Sequence, residues 1–179
     1  MTSGFAERLR AVPWERVAEA LGDARAVPDA LLRLAAASEP GEVDAAYWRL
    51  DNHVVLQGTL SEAAYHLVPF LLELLEDRSR FSRRALYDLL AEIALGQSPP
   101  GDPGDLRGAC RDRVRAGLGL VRDDLLAAGT DPEVRERALD VLVAVELDGA
   151  ALLDTLRRVP GTGDAALDAR IERVIRSRT

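Results

Sequence analysis

The chain contains no lysine; every one of its 23 basic residues is arginine. That argues against a flexible lysine-rich arm of the kind that holds nucleic acid without regard to sequence. Cysteine is nearly absent as well. Cys110 alone cannot close an intramolecular disulfide, and the apolar residues at helical spacing around it mark it as a buried, inert thiol rather than a nucleophile. Aromatic residues make up only 4 % of the chain, so leucine, valine and alanine have to fill the interior. No stretch reaches the roughly 18 apolar residues that a membrane-spanning helix needs, and the best is cut by His66, Glu73 and Glu76. The opening residues carry Glu7, Arg8, Arg10, Glu15, Arg16 and Glu19, which excludes the apolar core of a secretory signal. The resulting expectation is a cytoplasmic protein with no membrane partner.

What the chain does have is enough apolar material, 47 % of 179 residues, to bury a core as one domain over 1–179. The net charge is −7, and it is unevenly spread. Residues 1–80 hold 8 arginines against 13 acidic groups, and residues 81–179 hold 15 against 17. An acidic amino-terminal half repels phosphate backbones and favours basic partners.

Apolar residues recur at three- and four-residue intervals almost throughout, and no alternating strand pattern competes with them. The periodicity predicts helices over 4–10, 13–21, 28–38, 42–57 and 60–75. It continues over 81–95, in one long helix over 105–128, from Asp131, and over 149–158 and 164–176. Gly58 is read as the left-handed stop of one helix, with Thr59 and Glu62 as the capping box of the next. Asp131-Pro132-Glu133 combines an N-cap, a first-turn proline and an early carboxylate. Residues 96–104, with three prolines and three glycines, form a loop that either links two halves or covers a binding face. The reading is all-α, with about eight helices and no sheet.

The run from Asp131 to Leu142 resembles the HEAT-type helical repeat in its proline, valine and alanine-leucine positions. The stretch from His53 to Leu75 is similar to one found in small bacterial HEAT-like proteins. The resemblance implies a right-handed superhelical stack of antiparallel helix pairs, a HEAT-like α-solenoid, with no cofactor. It also implies protein binding as the leading role, one concrete form being an immunity protein that blocks a basic toxin.

Three sets of residues are candidates for function. Asp44, Trp48, Asp51 and Asn52, with Glu62 from the following helix, suggest an aromatic anchor among acidic groups able to hold a basic protein or a small ligand. Tyr47, Asp51, His53 and His66 are the alternative, a small enzyme whose acid-base groups face a hollow, with Glu62 or Glu92 as further carboxylates. The histidines lack the spacing of a metal site, so no metal is expected. Arg107, Arg111 and Arg115 share one helical side and suggest a phosphate-binding strip, as a protein recognising damaged DNA would need. Acidic neighbours dilute that charge.

Overall fold

The computed structural model describes residues 3–19, 22–77 and 81–178. Ten α-helices occupy them: α1 (Ser3–Ala11), α2 (Val27–Ala36), α3 (Pro40–Val54), α4 (Glu62–Leu75), α5 (Arg83–Leu95), α6 (Leu106–Arg115), α7 (Leu118–Leu126), α8 (Pro132–Val145), α9 (Gly149–Arg158) and α10 (Ala165–Arg178). They pack as an all-α bundle of unequal pairs. One row runs α2, α3, α5, α8, α10, each helix against the next, while α4, α6, α7 and α9 lie behind it.

Each helix enters the core by the stripe its periodicity marks. Ala46, Leu50 and Val54 are the buried line of α3, and Ala138, Leu142 and Val145 belong to that of α8. Burying one such leucine or valine stabilises the fold by about 1.5–3 kcal/mol, which is what holds an aliphatic core together without many aromatic rings. Asp131 caps α8 through the amides of Glu133 and Val134, at 2.8 and 3.4 Å. Asp148 and Asp164 cap α9 and α10 in the same way.

At the other helix ends arginine does the corresponding work. Arg83 donates to Leu75 O at the end of α4, Arg111 to Ala94 O in the last turn of α5, Arg115 to Val145 O at the end of α8, and Arg135 to Ala127 O just beyond α7. A guanidinium satisfies a last-turn carbonyl and opposes the negative end of the helix dipole. The forked head reaches these carbonyls while the stem packs in the interior, and Arg135 is buried.

Three expectations need correction. Residues 13–21 do not form a helix: Trp14–Arg16 is a single 3-10 turn, followed by β1 (Ala18–Glu19) paired antiparallel with β2 (Gly22–Asp23). Trp14 is buried there and donates from Nε1 to Leu9 O at 2.7 Å; the end of that predicted helix, residues 20–21, lies outside the described residues. The junction of α3 and α4 is not a helix stop but a hairpin, β3 (Val55–Leu56) against β4 (Thr59–Leu60). Gln57 and Gly58 both have positive φ, 50° and 80°, as a two-residue hairpin turn of the primed kind requires. Thr59 therefore pairs in a strand instead of capping α4, and Ser61 Oγ donates to His53 O at 2.6 Å. The long helix over 105–128 is two helices, divided at Ala116–Gly117. A β-carbon on Gly117 would lie 2.3 Å from the Leu72 side chain, so the break is where α4 presses closest.

Candidate functional site

The row face of α3 carries Tyr47 and Asp51 one turn apart, directed at α5. Tyr47 donates its hydroxyl to Glu92 Oε1 at 2.6 Å. The carboxyl of Asp51 is close enough to raise that of Glu92, by hydrogen bonding and by its charge. Accordingly the Glu92 carboxyl is pushed up to about 7, first by burial and then by Asp51. Its Oε2 is buried without any donor from another residue. The Tyr47 hydroxyl is pushed far above its ordinary range by burial and by Glu92, so it remains a donor.

One turn earlier on α5, Asp88 extends the negative line. Burial holds its carboxyl above the usual range, and Arg137 and Arg84 offset this only in part. Arg137 Nε lies 2.6 Å from Asp88 and Arg84 Nε 3.7 Å from it. From there ion pairs cross to α8 and α10: Arg137 with Asp140, Arg170 with Asp140 and Glu136, and Arg84 with Glu133. The charge is therefore matched toward α10 and unmatched toward α3. Among the described residues no arginine pairs with Asp51 or Glu92.

Trp48 stands beside this cluster with 59 % of its surface exposed, its ring edge-on to Tyr47 at 5.2 Å between centroids. Phe81, 55 % exposed, is the other uncovered aromatic ring on this side. Between α3 and α5 lies a hollow of about 300 Å³, bounded by Val43, Asp44, Tyr47, Phe81, Arg84 and Asp88. Phe81 lines this hollow together with Asp44, Asp88 and Arg84, and Trp48 follows the lining residue Tyr47 in the chain.

Of the sequence candidates, Asp44, Trp48, Asp51 and Asn52 all belong to α3. Asn52 satisfies its amide locally, donating to Trp48 O at 2.7 Å. Glu62 belongs elsewhere: it begins α4, accepts from Ala18 N at 3.1 Å and lies 3.8 Å from His66 Nε2. His66 is packed edge-on between Trp14 and Tyr65. His53, half-buried, ends α3 beside the hairpin. Tyr47 and Asp51 thus approach Glu92, whereas His66 has its contacts at Trp14, Glu62 and Tyr65. Arg111 and Arg115 commit their Nε atoms to helix-end carbonyls, and Arg115 also contacts Asp112, which accounts for their spacing without any phosphate. Asp88 was not singled out in the sequence, although two carboxylates one turn apart on an apolar helix were a visible signal.

Cys110 is buried and its thiol is pushed up to about 12. No group of three histidine, cysteine or acidic residues among the described residues is placed to hold a metal ion. No described helix is long and apolar enough to cross a membrane. No family model, no curated protein and no solved structure matches the chain.

Proposed function

We propose that the chain is a noncatalytic recognition module of HEAT-like design that takes a basic segment of a partner protein along the α3–α5 side of its helix row. The observation that carries this is the Asp51–Glu92 pair: two carboxyls close enough for one to raise the other, beside Tyr47 and an exposed Trp48, with no arginine among the described residues paired to either. A guanidinium or ammonium from outside would supply the missing charge. Trp48 and Phe81 would flank it, and Asp44 and Asp88 would hold neighbouring basic groups. A basic toxin blocked sterically and electrostatically is one partner that fits.

The test is capture of a basic protein by the full chain and its loss in the Trp48→Ala, Asp51→Ala double variant. Capture that survives this variant but fails in Arg111→Ala, Arg115→Ala, with a steep salt dependence, would transfer the role to phosphate binding and sink this reading. A second reading rests on the same pair, because a carboxyl that titrates near neutrality suits general acid-base chemistry. Glu92→Gln separates the two. It removes acid-base capacity outright but leaves Trp48, Asp44, Asp51 and Asp88 to bind a basic partner.

A further inference from the structure

The proline- and glycine-rich segment after α5 is tied down at both ends. Leu60 N donates to Gln97 O at 2.8 Å and Gln97 N to Gly58 O at 2.9 Å, which adds a parallel rung beside β4. Further on, Ser98 Oγ accepts from Arg107 N at 2.9 Å, and Asp102 accepts from Leu106 N and Gly104 N at 2.6 and 3.0 Å. The loop is thereby a wall. Between it, the β3–β4 hairpin, α4 and α6 lies a hollow of about 560 Å³. Small-molecule sites run roughly from 300 to 1,000 Å³, so this one accommodates a drug-sized ligand.

Leu60, Tyr65, Leu106 and Ala109 are among the residues that line it. Among the described lining residues the charged ones are Glu62 and Asp102, both carboxylates. Asp102 is held below the usual carboxylate range by the Leu106 and Gly104 amides, so it is ionised at neutral pH. Glu62 accepts from Ala18 N and faces His66 Nε2 at 3.8 Å, and its two oxygens retain further acceptor capacity. The nearby cation, Arg113, is stacked on the Tyr65 ring at 3.6 Å from its centre, which fixes that ring as part of the wall.

We propose that this hollow is a binding site for a small amphiphilic organic cation. Its apolar body packs against Leu60, Tyr65, Leu106 and Ala109, and its ammonium group is held at the carboxylates of Glu62 and Asp102. The walls are preformed, so the ligand does not have to order the loop when it binds. An anion of the same shape is repelled by both carboxylates and by the net negative charge of the chain. A neutral isostere keeps the packing and loses the ion pairs. Both carboxylates reach solvent, so the preference for the cation is modest, roughly three- to tenfold.

The experiment titrates the full chain with naphthylmethylamine, naphthylmethanol and naphthoate, followed by the amide resonances of α4, α6 and the loop. The expected order is amine over alcohol by the factor above, with naphthoate weakest. Glu62→Gln should bring the amine down toward the alcohol while leaving the alcohol unchanged, since the new amide oxygen still accepts from Ala18 N. Ala109→Phe should fill the hollow and abolish binding of all three. Equal affinity for amine and alcohol, preference for naphthoate, or undiminished binding in a folded Ala109→Phe variant would overturn the site. Trp48→Ala should leave every one of these titrations unchanged, which keeps this site distinct from the α3–α5 groove.

Discussion

Helix α5 holds two tyrosine–carboxylate contacts, one on each side, and they are completed differently. Tyr87 donates to Asp124 Oδ2 at 2.5 Å, and Arg83 contacts the same oxygen while also donating to Leu75 O at 2.7 Å and Asp77 O at 3.1 Å. Arg83 and Asp124 are 8 % and 2 % exposed, and the Arg83 guanidinium lies 5.8 Å from the Tyr87 ring centre. The other contact, Glu92 with Tyr47, has a second carboxyl where the first has an arginine. A buried carboxylate that receives its cation within the chain contributes to the fold. The Glu92 carboxyl receives no such cation among the described residues. That difference separates the structural side of α5 from its candidate binding side.

The largest expected effect tests the structural side. Arg83→Met takes from the buried Asp124 the guanidinium that contacts its Oδ2, and with it the donors to Leu75 O and Asp77 O, and should cost about 3–5 kcal/mol in denaturant unfolding. A loss below about 1 kcal/mol would erase the contrast. Tyr87→Phe, which deletes one donor to the same carboxylate, should cost a smaller amount, about 1–3 kcal/mol.

The next prediction concerns pH. The folded-state carboxyl of Glu92, at about 7, lies above its ordinary value of 4.5, so the folded chain holds the proton more tightly. The stability this contributes is fully present below about 4.5 and is lost as pH rises through about 7. Melting temperatures of Glu92→Gln should therefore fall less steeply over that interval than those of the unmodified chain. Parallel profiles would mean that the fold does not raise the Glu92 carboxyl. The smallest effect on stability belongs to Trp48→Ala, within about 0.5 kcal/mol, because that ring is mostly in solvent. Capture of a basic partner should nonetheless be lost.

Most of the helices were legible because one apolar stripe per helix decides which side is buried. The end of α3 was not. A glycine with positive φ suits both a helix stop and a hairpin turn, and only the second positive φ, at Gln57, distinguishes them. Nor was the division between α6 and α7, since Gly117 matters through the Leu72 side chain of a distant helix. The exposure of Trp48 could be read from its polar neighbours on both helical ridges. The partnership of Tyr47 with Glu92 could not, because the sequence leaves open which helix α3 faces. The arginines of α6 are ambiguous for a related reason: periodic spacing that suits a phosphate strip equally suits side chains reaching helix-end carbonyls, as Arg111 and Arg115 do.

The rung between β4 and Gln97 has a consequence for how the molecule breathes. It joins two peptide groups that belong to different helix pairs and that no helix protects, so neither amide can open to solvent without releasing the other. Deuterium should then enter at Leu60 and Gln97 at matched rates, slower than in the rest of the loop. The hairpin turn and the segment that follows α5 thereby act as a single clasp.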